Sequence, residues 1–140
     1  MASKSETVLT ALLTVLQDVW GPTVERNTGL PETVPAGGLV ILHDGDPGPP
    51  EVLLSPTTYI YEHEVELDLF VQADDSDAAF DDLKILIGAA IAADRTLGGL
   101  CDWVEAVAPV PVELPFVGSI PLKAATIGVR LTYSTSDPLA

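Results

Sequence analysis

The chain has 140 residues, a length that fits one domain, 1–140, with room for a buried core. Apolar residues make up 47% of it and charged residues 19%, so the composition excludes a chain that is disordered throughout. The formal net charge is -15, because 21 Asp and Glu outnumber 6 Lys and Arg. This balance argues against specific nucleic-acid binding, which needs clustered basic side chains.

Membrane and disulfide-bonded proteins are also disfavoured. No apolar run reaches the roughly 18 residues that a membrane span needs. Cys101 is the only cysteine, which excludes a disulfide within the chain and a zinc site built from several cysteines. The first residues do not have the pattern of a signal peptide. We therefore expect a protein that is made in a reducing cytoplasm and does not bind membranes.

The chain opens with a predicted amphipathic helix. Ser3 and Glu6 have the spacing of a capping box, and apolar residues follow at helical intervals. The pattern predicts a helix from Lys4 to Trp20. Gly21-Pro22 ends it, because proline cannot continue the hydrogen-bond ladder.

A β-hairpin is expected next. A short extended piece, 23–27, and a loop rich in Gly and Pro, 28–38, lead to the apolar strand Leu39–His43. The Gly and Pro residues of 44–50 predict an exposed turn. We expect the chain to reverse there, so that Glu51–Leu54 pairs with the preceding strand.

The clearest pattern is the alternation from Tyr59 to Val71, which predicts a long strand. One of its faces is apolar. Acidic side chains occupy the other, at Glu62, Glu64, Glu66 and Asp68. Ile60 and Phe70 interrupt the acidic face near its ends, where we expect contact with another element or subunit.

A second helix and a last strand follow. Three acidic residues mark the helix start, where they can cap free amides and meet the positive end of the helix dipole: Asp74, Asp75 and Asp77. The apolar stripe ends near Asp94, and Gly98-Gly99 prevents further extension. The segment 100–107 suits a helical turn or a strand, and a strand after a turn is the favoured reading. After a Pro-rich loop, alternation from Lys123 to Tyr133 predicts a long strand.

This order of elements predicts an α+β fold, with a mostly antiparallel β-sheet and two α-helices packed on one face. A parallel sheet buried on both faces would have continuously apolar strands, and these alternate instead. We expect the other face of the sheet to be polar.

Residues that could carry chemistry are few. His43 and His63 each lie near carboxylates, but neighbouring residues of a strand point to opposite faces, and His63 shares the apolar face. Asp44-Gly45-Asp46 lacks the later ligands of a calcium loop. No Gly-rich phosphate loop is present, and no family signature surrounds Cys101. The expectation is a protein with no catalytic residues, no cofactor and no metal, hence not an enzyme.

Several short motifs carry a resemblance that spans nearly the whole chain. In the first half they are Glu25-Arg26-Asn27, Pro31, Val34-Pro35, Gly38 and Asp44-Gly45-Asp46-Pro47. In the second half they are Tyr61-Glu62-His63, the stretch Asp94 to Leu100, Tyr133 and Asp137-Pro138-Leu139. With the N-terminal helix, this arrangement resembles the tail-terminator, or tail-completion, proteins of long-tailed bacteriophages and gene-transfer agents. The shared features are structural and include no active-site chemistry.

The resemblance implies a structural virion protein at the head-proximal end of the tail, assembled in the host cytoplasm. Such proteins form a hexameric ring on the last ring of tail-tube protein, stop its polymerisation and dock to the head or neck connector. DNA would pass through the ring without being specifically bound.

Two sets of residues are candidates for these roles. An acidic surface facing DNA would repel it and so let it slide; the alternative for these residues is a solvated strand face and a helix cap. The candidate channel-facing residues are Glu62, Glu64, Glu66, Asp68, Asp74, Asp75 and Asp77. The candidate assembly-loop residues are Pro31, Pro35, Asp44, Asp46, Pro47, Pro49, Pro111, Pro115 and Phe116. Two other functions stay open: a head–tail adaptor of the neck, and a cytosolic ligand-binding domain or small acidic enzyme.

Overall fold

The computed structural model describes residues 2–112 and 120–140. They form two helices and a seven-stranded, mostly antiparallel sheet, which confirms the predicted α+β class. The helices are α1 (Lys4–Gln17) and α2 (Ser76–Ala93). The strands are β1 (Thr23–Arg26), β2 (Leu39–Asp46), β3 (Glu51–Leu54), β4 (Thr57–Gln72), β5 (Trp103–Ala106), β6 (Val110–Val112) and β7 (Leu122–Thr135).

The sheet is built around the two long strands β4 and β7. They pair antiparallel from Tyr59 opposite Thr135 to Gln72 opposite Leu122, as their matched alternation of apolar residues requires. The path across the sheet is β1-β2-β4-β7-β5, with β3 also beside β4 and β6 also beside β7. Among the strand pairs of the described residues, only β1 and β2 run parallel. The predicted long strands and the strand in 100–107 are confirmed.

The predicted hairpin between Leu39–His43 and Glu51–Leu54 is wrong. Both segments pair with β4 in the same direction, β2 beside residues 64–70 and β3 beside residues 57–60. Residues 44–50 therefore do not reverse the chain: they interrupt one edge of a single long hairpin, which turns at Ser55-Pro56, a cis peptide. Gly45 has a φ of 65°, and a Cβ there would overlap the carbonyl of Glu64. Glycine at this position permits the irregular pairing beside β4.

The first helix is shorter than predicted, since it ends at Gln17 and not at Trp20. The amide of Val19 already bonds the carbonyl of Leu16, three residues back, so the last turn tightens before Gly21-Pro22. Trp20 is exposed and gives the helix no buried contact that would favour extension. The start of α2 is as predicted, with Asp75 accepting from the amide of Ala78 as the N-cap.

Both helices cover the same face of the sheet and enclose the main core. Apolar residues of α1 and α2 pack there on one side of β2, β4, β5 and β7. The core residues largest in volume and fully buried include Leu12, Leu16, Leu67, Ile87, Ile91, Leu131 and Tyr133. We call this side of the sheet the helix face.

The opposite side of the sheet, which we call the open face, was predicted to be polar, but it is polar only in part. At one end Leu39, Ile41, Phe70 and Ala124 form a second buried cluster, with Val34 packed against it. The crossover between the parallel strands β1 and β2 supplies Val34, so residues 28–38 reach over this end of the sheet. Phe70 thus contacts another element of its own chain, which is one of the two kinds of contact expected for it.

Candidate assembly surfaces

The acidic residues of β4 lie together on the open face, as the alternation predicts. Glu62, Glu64 and Glu66 are exposed, whereas Asp68 is partly buried. Asp68 accepts hydrogen bonds from His43 Nε2 and from Thr126 Oγ1, both at 2.8 Å. Glu64 accepts from Arg130 Nε at 2.8 Å.

These contacts divide the acidic row into two kinds of residue. Glu64 and Asp68 hold neighbouring strands together, because their partners lie on β2 and β7. Glu62 and Glu66 are the exposed carboxylates of the row that enter no ion pair among the described residues. They are therefore the stronger candidates for a surface that acts by charge alone.

The acidic residues before α2 do not belong to this surface. Gln72 at the end of β4 is ten residue steps from Glu62, which is about 33 Å at the rise of a β-strand. Asp75 caps α2, and Asp77 pairs with Lys123 at 2.9 Å. The structure thus does not bring the seven candidate channel-facing residues into one patch: Asp75 and Asp77 have structural contacts, and Asp74 lies beside them in the turn.

The 28–38 loop borders a shallow cleft on the open face. The cleft measures about 270 Å³, and Leu30 and Val112 contribute apolar walls to it. Glu66 and Asp68 line its acidic end and Phe70 its apolar end. Of the candidate assembly residues in this loop, Pro31 is partly buried and Pro35 is exposed.

Asp44 and Asp46 lie in β2 and not in a loop, so their predicted placement is wrong. Asp44 takes part in a cluster in which Arg26 Nε donates to Asp44 Oδ1 at 2.8 Å and Arg26 Nη1 donates to Glu6 Oε1 at 2.7 Å. Arg26 thereby links α1, β1 and β2. Its hydrogen bonds hold the pKa of Glu6 and that of Asp44 below their ordinary values.

The same end of β2 is fixed from the core side by a buried histidine. The Nε2–H of His63 donates to the Asp44 carbonyl oxygen, and the hydroxyl of Tyr133 lies 2.8 Å from His63 Nδ1. Since a carbonyl only accepts, Nδ1 of the neutral ring is the acceptor from Tyr133. Burial raises the pKa of Tyr133 to about 12. His63 is therefore a hydrogen-bonded core residue.

Of the remaining candidate assembly residues, Pro47 and Pro49 lie in the short connection between β2 and β3, with Pro49 exposed. Pro111 lies in β6, opposite Ala125 of β7, and not in an irregular loop. Proline is tolerated there because β6 is at the margin of the sheet, where its missing N–H needs no partner strand. Pro115 and Phe116 lie outside the described residues.

The most prominent apolar surface was not predicted. Strand β3 and the first four residues of β4 form a ribbon, 51–60, that extends past the end of β2; it is called the arm below. Val52, Leu53 and Leu54 are all exposed on it, Leu54 to 78%. Three successive apolar residues cannot all face one core from a strand, and this lack of alternation was the signal in the sequence.

The opposite margin of the sheet carries a second apolar surface. Strands β5 and β6 lie one after the other along the outer side of β7 and are joined by residues 107–109. This stretch, 103–112, is the β5–β6 margin. Its exposed apolar side chains are Trp103, Val107, Val110 and Val112.

The groups with reactive side chains do not converge. His43 bonds Asp68 on the open face, His63 is buried on the helix face, and Cys101 lies near the start of β5. Burial raises the pKa of the Cys101 thiol, which disfavours the thiolate. Within residues 2–112 and 120–140, no group of three His, Cys, Asp or Glu side chains is arranged to hold a metal. No helix in that part of the chain is long and apolar enough to span a membrane.

No protein-family model matches the chain, and no curated protein matches it.

Proposed function

We propose that the protein is a non-enzymatic structural component of a long-tailed phage or gene-transfer agent. Six copies form a ring on the last ring of tail-tube protein, end its polymerisation and offer a docking surface to the head or neck connector. The number of copies and the partners come from the resemblance to tail-terminator proteins. The ring joins the virion at the head-proximal end of the tail, after assembly in the host cytoplasm.

The exposed arm is the observation that carries this proposal. An edge strand with Val52, Leu53 and Leu54 in water invites pairing with other chains, and monomeric proteins usually protect such edges with charge, proline or a covering element. The arm has one charged residue, Glu51, and no covering helix among the described residues. A surface of this kind is costly for a monomer but useful to a subunit that assembles.

The open face supports a role in DNA passage. Glu62 and Glu66 are exposed on β4 and present negative charge to solvent. If this face lines the ring, DNA meets charge of its own sign and slides without being trapped. The candidate channel residues are then reduced to Glu62 and Glu66, since Glu64 and Asp68 have partners within the sheet.

Deleting the gene from the producing genome tests this function. We expect tails of uncontrolled length that do not join heads, because nothing ends tube polymerisation. Tails of normal length that fail to join heads would instead indicate a head–tail adaptor. Normal, head-joined tails would contradict both structural roles, and a ligand-binding or enzymatic function would then be favoured.

A further inference from the structure

We propose that the arm of one copy docks against the β5–β6 margin of the next copy through apolar side chains, so that the sheets of neighbouring copies meet edge to edge around the ring. This inference rests on the proposed ring, and it names the surfaces that form the contact. The occupant of the arm is thus a second copy of this chain.

The positions of the two surfaces support this pairing. The arm lies on the β2 side of β4, and the β5–β6 margin lies on the outer side of β7, so the two are at opposite margins of one sheet. A closed ring requires two different surfaces on each subunit, one for each neighbour. Both surfaces are apolar, with Leu54 exposed to 78% on the arm and Val110 to 64% on the margin.

The low charge of both segments is the second argument. Copies that each carry a net charge of -15 repel one another, so contact is favoured where charge is sparse. The arm, 51–60, contains only Glu51, and the β5–β6 margin, 103–112, contains only Glu105. Glu105 also lies opposite Arg130 of the same sheet, which offsets its charge.

The signs of the nearby charges favour a contact between the arm and the margin over a contact between two arms. Four of the basic side chains form ion pairs within the chain, at Arg26, Lys84, Lys123 and Arg130. The other two donate to main-chain carbonyls near β5: Lys4 to Leu100 at 2.6 Å and Arg95 to Val104 at 2.8 Å. A contact between two arms would bring two copies of Glu51 together, whereas the β5 end of the margin has Lys4 and Arg95 nearby, besides Glu105.

The arm-to-margin contact also determines whether the open face points into or out of the ring. Sheets joined edge to edge around an axis turn one face inward and the other outward. Because the helices thicken one face, the wider side belongs outside, and the open face with Glu62 and Glu66 then faces the channel.

Cross-linking between cysteine variants tests the pairing. In a Cys101→Ala background, a mixture of Leu54→Cys and Val110→Cys proteins is treated with a short bis-maleimide, which tolerates an unknown register. We expect cross-linked dimers from the mixture and not from either variant alone. A mixture of Leu54→Cys with Ala92→Cys, on the exposed side of α2, is the matched control and should stay uncross-linked.

Each other result overturns the pairing. Cross-links within Leu54→Cys alone would indicate arm-to-arm contact about a two-fold axis. A closed oligomer without cross-links between Leu54→Cys and Val110→Cys would mean that the ring uses other surfaces, and the proposed function would stand. A protein that stays monomeric in light scattering at all concentrations would also end this inference, while the tail-length experiment would still decide the function.

Single substitutions give an independent measure of the same contact. Leu54→Asp should weaken association by at least roughly tenfold, as expected for an apolar contact residue. Ile85→Asp, at a 58% exposed position of α2, should leave it unchanged. Circular dichroism must show both variants folded, and equal association by the two would contradict a role for the arm.

Discussion

The two ends of the long hairpin formed by β2, β3 and β4 differ in what covers them. At the core end, residues 61–71 of β4 alternate, and their apolar side chains are buried under α1 and α2. At the arm, apolar residues are just as frequent, but Val52, Leu53 and Leu54 are exposed. The difference shows that hydrophobicity alone does not bury a residue: another element must also cover the strand.

The largest expected effect on the free energy of unfolding separates a leucine at the core end from a leucine on the arm. Leu67→Ala should lower the free energy of unfolding by about 3 kcal/mol, because it leaves a cavity in a fully buried core. Leu54→Ala should change it by less than about 0.5 kcal/mol, since little burial is lost. Urea denaturation under conditions where the protein is monomeric measures both, and similar losses would contradict the account of the arm.

The Arg26 cluster should give the next largest effect, because it joins α1 to β2 just before the arm. Arg26→Met keeps the aliphatic stem but removes the hydrogen bonds to Glu6 and Asp44. We expect a loss of about 2 kcal/mol, between the values for exposed and for buried charged contacts. Lys84→Met, which breaks an exposed pair with Asp81 on α2, is the control and should change stability little.

The same variant should have an altered pH dependence. The ordinary pKa values are 4.5 for Glu6 and 3.8 for Asp44, and both are lowered in the folded state. The cluster therefore contributes its full stability above those values and loses it as pH falls through the lowered folded pKa values. The difference between the wild type and Arg26→Met should shrink below about pH 4; a constant difference from pH 7 to pH 3 would exclude this linkage.

A smaller effect on stability is expected from loss of the buried hydrogen bond between Tyr133 and His63. Tyr133→Phe removes the donor to His63 Nδ1 and leaves a buried acceptor unpaired, which costs about 1.5 kcal/mol. Tyr59→Phe, at a partly buried position on the same strand as His63, is the matched control. Equal stabilities for the two variants would show that the hydroxyl of Tyr133 contributes nothing.

The smallest effect on stability is expected at the open face. Glu62→Lys with Glu66→Lys should change the free energy of unfolding by less than about 0.5 kcal/mol and leave assembly intact, yet slow DNA passage. Asp18→Lys with Asp82→Lys makes the same charge change at exposed positions, one just after α1 and one on α2. Infectivity unchanged by the first pair, or reduced equally by both pairs, would exclude a channel role for this face.

The local patterns were enough to predict much of the fold. Alternation placed Val65 and Leu67 on the covered face and Glu62 and Glu66 on the other, and Asp75 marked the start of α2. These features depend on spacing within one element, and that spacing is written in the sequence.

Features that depend on distant contacts were missed. Glycine and proline in 44–50 are typical of a turn, but the continued pairing with β4 keeps the chain running in the same direction. Asp44 was predicted to lie in an assembly loop. Its partners, the side chains of Arg26 and His63, are remote in sequence, so local patterns could not identify them. Loop 28–38 likewise gave no sign that Val34 would cover Phe70.

Cryo-electron microscopy of virions from the genome that encodes the chain would image the arm in its assembled state. We expect one ring of this protein between the tail tube and the neck, with Leu54 of each subunit covered by the β5–β6 margin of its neighbour. Virions that lack the protein would exclude the proposed ring, and virions that contain it with Leu54 facing solvent would exclude the arm contact.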